Sequence, residues 1–294
     1  MKKVILIYIL VIGYQAIINA QFDSIYSKRI EIRKSFENYL EKEKPASFGL
    51  TIPTGDKNHY LINGAIAYKI SHMASNSVNN MNIFMLYNKN NQIKKEQNLF
   101  KAGLSLENKI RITSKLKFVT TLTASYANNI KDTTQSFLGL FYFNPYYPFN
   151  NWLRLGYPVS NYKNSVMVPV FNIIPGLEYQ NKYQTPQKDN SGSIARYYIS
   201  SSLSLYFRIR KISGDKSSDL VNLFGTSFNY VLRKDFYNNT KIKEGYLPIY
   251  NFTISCYPFK VDNISFEASY FNGSDPVNGL DKQEYWELTF KIKK

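Results

Sequence analysis

"ARYYISSSLSLYFRIRK", residues 195–211, decides how the rest of the chain is read. Every second residue from Ala195 reads Ala, Tyr, Ile, Ser, Leu, Leu, Phe, Ile, apolar but for Ser201. The alternate set is Arg196, Tyr198, Ser200, Ser202, Ser204, Tyr206, Arg208 and Arg210, a row of hydroxyls and guanidinium groups. Strand side chains alternate between faces, so this period of two predicts one long strand with a greasy face and a wet face. From Tyr197 to Ile209 the strand spans roughly 40 Å at about 3.3 Å per residue. Strands of soluble domains average about 5–6 residues. Tilted by about 45°, such a strand rises roughly 28 Å, close to the ~25 Å apolar band that a membrane barrel shows to lipid.

The same pattern recurs along the chain. Strands are expected at Ala46–Thr54, His59–Ser71, Asn80–Asn88, Asn98–Ile112, Lys115–Asn129 and Thr134–Phe143, then at Met167–Lys182, Ile194–Lys211, Asp219–Asp235, Tyr246–Phe259, Asn263–Asn272 and Gln283–Lys293. Phe118, Leu122, Ala124 and Tyr126 share a face, as do Ile264, Phe266, Ala268 and Tyr270. The last strand puts Trp286, Leu288, Phe290 and Ile292 on one side, and Tyr285, Glu287, Thr289 and Lys291 on the other. Asn-, Lys-, Gly- and Ser-rich turns separate the strands. Averaged over such strands the mean hydropathy, -0.33, reads as hydrophilic, because the two faces cancel.

Residues 1–20 read as a cleavable signal peptide. Lys2 and Lys3 precede the apolar run "VILIYILVI" (4–12), and "INA" ends at Ala20 before Gln21. That run is too short for a comfortable span, which takes about 20 residues. Residues 21–45 are expected to form a periplasmic helix or linker. Ile32, Phe36 and Leu40 recur every four residues within Ser24–Lys44, the signature of a short amphipathic helix, either a solvated linker or a lid or plug. Cys256 is the only cysteine, so the exported chain has no intrachain disulfide.

On the leader ending "INAQ", the serial two-faced strands and the final "EYWELTFKIKK", the chain resembles the outer-membrane β-barrel proteins of Gram-negative bacteria. The turn "NGSDPVNGLDKQEYW" and the Lys-, Asn- and Tyr-rich composition look like barrels of Bacteroidota. Such barrels commonly end on an aromatic residue; here Phe290 is followed by "KIKK". The resemblance covers residues 46–294. It implies an all-β, transmembrane, antiparallel up-and-down β-barrel of about twelve strands, with both ends in the periplasm and location in the cell outer membrane. The implied partners are outer-membrane lipid and the outer-membrane assembly machinery. Parity then puts 112–115, 212–218 and 260–262 on the periplasmic side, and 89–97, 181–193, 236–245 and 273–282 outside. The aromatic segment "NPYYPFNNWLRLGYPVSNYKNSV" (144–166) resists this count; it either packs at the barrel base, folds into the lumen, or hides a hairpin that would make fourteen strands.

The chemistry legible in the sequence is sparse. There are two histidines, His59 and His72, one cysteine and no clustered carboxylates, so neither a metal set nor a catalytic set is read, and no cofactor is expected. No glycine loop of the phosphate-binding kind occurs. The net charge of +16 is spread along alternate strand positions and loops, which argues against nucleic acid as a partner. In a barrel, the lumen-lining candidates are Arg196, Tyr198, Ser200, Ser202, Ser204, Tyr206, Arg208, Arg210, Tyr285 and Glu287. Unpaired inward arginines would favour anions; paired with Glu178 or Glu287 they would only fill the interior. The expected role is a porin-like channel or binding barrel for small polar or anionic solutes. The alternatives are a barrel enzyme acting on lipid or peptide, and a non-conducting structural or surface-interaction barrel.

Overall fold

The structure, a computed structural model, describes residues 29–37, 46–51, 59–70, 80–91, 96–149, 153–157, 165–186, 190–210, 220–241, 245–258, 264–278 and 280–292. The expected signal peptide and His72 lie outside them.

The described chain is all-β. Its strands are β1 (Ile30–Arg33), β2 (Ser47–Thr51), β3 (His59–Lys69), β4 (Asn80–Asn90), β5 (Gln97–Arg111), β6 (Lys117–Asn129), β7 (Thr134–Pro148), β8 (Arg154–Leu155), β9 (Met167–Gln184), β10 (Gly192–Arg210), β11 (Leu220–Asn238), β12 (Tyr246–Cys256), β13 (Ile264–Asp275) and β14 (Leu280–Ile292). They form one sheet in chain order, each long strand antiparallel to the next. Each of the twelve expected ranges carries a strand. No pairing joins β14 to β1 or β2 among the described residues, so this sheet has two free edges. Leu288 on β14 is 86 % exposed, as befits an edge. No helix in the described residues is long and apolar enough to cross a membrane.

One departure from expectation concerns a short element. Of the helix expected over Ser24–Lys44, the described part is β1 followed by a bend at Lys34–Glu37; the rest lies outside the described residues. Period four in three apolar residues is a weak signal, and an open edge of β3 offers backbone partners that an isolated helix lacks. The segment 144–166 holds no full hairpin in its described part. Its first residues extend β7, and β8 is a two-residue bridge to Tyr147 and Pro148.

The first edge explains the count of fourteen. β1 pairs with Ala65–Tyr68 of β3, and β2 pairs with His59–Asn63 along the same edge. The two run in the same direction along that edge, β1 ending at Arg33 and β2 starting at Ser47. Gly64 faces the gap. A Cβ there would meet the Ala46 Cβ at 2.9 Å and the Arg33 carbonyl at 3.8 Å, so the chain leaves and rejoins the edge beside a residue without a side chain. Counting β1 with β2 and omitting β8 leaves twelve strands.

The two faces of the sheet have opposite chemistry. On β10, Tyr197, Ile199, Leu203 and Phe207 are exposed, while Arg196, Tyr198, Ser200 and Arg208 are buried. The same inversion holds elsewhere: Ile83, Met85, Leu104 and Leu122 are exposed, and Asn82, Lys101, Ser105, Glu107 and Thr123 are buried. Apolar clusters join side chains of this inner face from β5 round to β12 and the β13–β14 turn, including Leu99, Leu140, Ile174, Val231, Ile249 and Val277. Side chains from strands so far apart in the order can touch only if the sheet curls around them.

Candidate functional site

The inner face is built in layers, and the register defines them. Around β10, one row runs Glu178, Arg196, Asp235. The next runs Gly176, Tyr198, Arg233, Leu247. Below it lies an apolar row, Ile174, Ser200, Val231, Ile249. Two rows of hydroxyls and amides follow. The first is Asn172, Ser202, Asn229, Asn251, then Phe271 and Tyr285. The second is Val170, Ser204, Ser227, Thr253, Ser269 and Glu287.

The upper layer is ionic. The Arg233 Nε donates to Glu178 Oε1 and Oε2 at 3.1 and 2.9 Å. Its Nη2 lies 3.3 Å from Asp275 Oδ1, and its guanidinium sits 5.0 Å from the centre of the Tyr198 ring. Tyr142 Oη donates to Glu178 Oε1 at 2.8 Å, and the Tyr142 and Tyr198 rings are 4.7 Å apart. Gly176 makes this possible, because a Cβ there would collide with the Tyr142 ring. Arg196, 1 % exposed, donates from Nε to Asp235 Oδ1 at 2.8 Å and from Nη1 to Gln180 Oε1 at 3.0 Å. Charges removed from water persist only when paired and hydrogen-bonded, and each of these has an opposite charge within contact.

A second ionic group joins three separate parts of the chain. Lys101 on β5, 0 % exposed, donates to Glu37 Oε1 and Oε2 at 2.7 and 2.8 Å and to Asn278 Oδ1 at 2.9 Å. Glu37 belongs to the connection between β1 and β2, and Asn278 to the turn between β13 and β14. Lys101 on β5 therefore bonds both to the last hairpin and to the chain that follows β1.

The expected lumen candidates fall as follows. Arg196, Tyr198, Ser200 and Arg208 are buried on the inner face, and Ser202, Ser204, Tyr206, Tyr285 and Glu287 are half-buried there. Arg208 Nη2 donates to the Leu220 carbonyl at 2.6 Å. Arg210 ends β10 opposite Leu220 in the register. Ser200 donates to Asn229 Oδ1 at 3.2 Å, and Asn172 donates to the Ser202 hydroxyl at 3.1 Å. The Tyr285 ring stacks on Phe271 at 5.1 Å. Sequence reading missed Lys101, Glu37, Asn278, Tyr142, Arg233, Asp235 and Asp275. Arg233 carried a signal, since it shares the even-spaced face of Val231 and Asn229. Its partners are set by the register, which no local pattern reveals. Among the described residues no group of three His, Cys, Asp or Glu side chains could hold a metal ion.

Comparison with protein-family models, with curated proteins and with solved structures finds no match.

Proposed function

We propose that this chain closes into an outer-membrane β-barrel whose lumen takes small polar solutes. One observation carries the reading: the sheet is inside-out, with Leu203, Phe228 and Leu288 exposed while Lys101, Glu178, Arg196 and Arg233 are dry. A soluble domain rarely exposes apolar surface on this scale, and in hydrocarbon an open sheet edge leaves backbone groups unpaired at several kcal/mol each. Closure would pair β14 with the broken strand made of β1 and β2. Twelve alternating strands make these two edges antiparallel, as closure requires, and the Asn278–Lys101–Glu37 contacts draw the two edge regions together.

The lumen chemistry favours polar over anionic solutes. Arg196 and Arg233 face carboxylates within contact, which cancels much of the positive field that the sequence pattern suggested. The two hydroxyl and amide rows offer hydrogen bonds of both senses, with Glu287 their single charged member. A non-conducting barrel is the second reading, favoured by the buried ionic layer near the end carrying the 181–193 and 236–245 connections.

The test is expression with membrane fractionation, then heat-modifiable gel mobility and planar-bilayer recording of the purified protein. Expected are outer-membrane recovery, a heat-modifiable form, and openings whose reversal potential in a salt gradient lies near zero. Absence of a heat-modifiable form sinks the barrel. A folded barrel that stays silent supports the non-conducting reading, and strong anion preference shows that the arginines act as a filter after all.

A further inference from the structure

We propose that the turn between β13 and β14, residues 275–278, folds across the interior and is the constriction that limits what passes through it. The constriction rests on the barrel reading; the inward course of the turn rests on contacts among the described residues.

A hairpin tip ordinarily meets water, and this one is bent away from it. β13 enters the turn through a bulge: Gly273 pairs with Gln283, but Asp275 pairs with Leu280. A bulge bends its strand and sharpens the local twist. Gly273 holds a φ of 145°, a conformation that suits glycine, and a Cβ there would lie 2.8 Å from the Ile249 Cα. The bend therefore needs a residue without a side chain. A single 3-10 turn, Pro276–Asn278, follows. Asp275 closes it: Oδ1 accepts the Asn278 backbone N–H at 3.3 Å, and Oδ2 accepts the Asn278 side-chain amide at 2.9 Å. Asp and Asn side chains commonly order turns in this way.

The closed turn is anchored on two distant strands. Asp275 Oδ1 lies 3.3 Å from Arg233 Nη2 on β11. Asn278 Oδ1 accepts from Lys101 at 2.9 Å, and the Asn278 carbonyl accepts from Gln97, both donors on β5. In the sheet, β6, β7, β9 and β10 separate β5 from β11. A four-residue turn that bonds to both crosses the concave face instead of extending it. Between these anchors Val277, 3 % exposed, belongs to the buried cluster that includes Leu99, Leu140, Tyr198, Val231 and Ile249. The interior at this level is thus divided by backbone as well as by side chains. A rotamer change clears a side chain from a path but does not clear a turn pinned at both ends. Bore width and lining decide what a pore admits, so a solute must displace this turn or fit beside it.

Two measurements on purified protein in phosphatidylcholine vesicles test the proposal. The first is labelling by a membrane-impermeant maleimide in the mature chain with Cys256→Ser, since Cys256 is exposed and would label. Val277→Cys is expected to label at least about tenfold more slowly than Lys131→Cys, in the exposed β6–β7 turn at the same end of the sheet. Adding Gly273→Ala, which denies β13 its bend, raises the rate for Val277→Cys at least about tenfold. The second measurement is vesicle swelling in sucrose. Val277→Asp drives the tip toward water, because a carboxylate is not tolerated in an apolar cluster. It is expected to speed sucrose entry at least about tenfold over the parent. Gly273→Ala alone has the same effect and keeps the test alive if Val277→Asp fails to fold. Val277→Ile, which keeps the tip apolar, leaves the parent rate. Labelling of Val277→Cys as fast as Lys131→Cys overturns the inward turn, and unchanged sucrose entry in a variant whose tip labels fast overturns the constriction. Only proteins with a heat-modifiable form are scored, so failure of the barrel reading is registered separately.

Discussion

Removing Arg233 should damage the protein more than removing any exposed charge, and its damage should shrink when Glu178 is neutralised as well. In the Arg233→Met variant, Glu178 keeps its Tyr142 donor but loses both guanidinium bonds, with its side chain 1 % exposed. Asp275 also loses the guanidinium, but it keeps both Asn278 donors, is 17 % exposed and can rehydrate. Breaking a buried pair from one side typically costs about 3–5 kcal/mol; with one of the two carboxylates near water, about 3 kcal/mol is expected, roughly two orders of magnitude in the unfolding equilibrium. Glu178→Gln keeps an acceptor for Tyr142 or Arg233 and leaves Arg233 with Asp275, so it should cost about 1–2 kcal/mol. The double variant strands no charge at position 178. Its cost should fall short of the sum of the singles by at least about 1.5 kcal/mol, a coupling typical of residues in one network. Urea titration of the refolded protein in phospholipid vesicles, followed by tryptophan fluorescence and extrapolated to water, measures all three. Additivity within about 0.5 kcal/mol would mean that the ionic layer is hydrated and does not hold the interior together.

Two further perturbations probe the faces and the first edge. Leu203→Arg puts a charge on the exposed apolar face near the middle of β10 and should block assembly in membranes at a cost of roughly 2–4 kcal/mol, whereas Ser202→Arg, inward beside Asn172 and Asn229, should still give a heat-modifiable form; equal yields of the two would refute the assignment of faces. Gly64→Val drives a side chain into Ala46 and should cost about 1–3 kcal/mol in the same urea titration, while Gly139→Val, whose nearest neighbour would be the Tyr179 Cβ at 3.8 Å, should change stability by less than about 0.5 kcal/mol.

The alternation of apolar and polar residues was enough to place the eleven long strands and β2, and to say which side chains of 195–211 share a face, because a strand's faces are a local property with a period of two. Arg196, Tyr198, Ser200 and Arg208, which it put together on one face, are all buried. The same local reading made a helix of residues that include β1, since it could not know that the edge of β3 would be free to receive them. It left Arg196 as a possible free charge, since the carboxylate it bonds, Asp235, lies 39 residues away, and it missed Arg233, whose partner Glu178 lies 55 residues away. Only the register and curl of the sheet bring these together. The joining of Glu37 to Lys101, 64 residues on, and of Lys101 to Asn278, 177 further on, belongs to tertiary structure alone. Periodicity states which face a side chain takes; charge neutralisation depends on what lies across the interior, and that distance is set by strand order, shear and curvature.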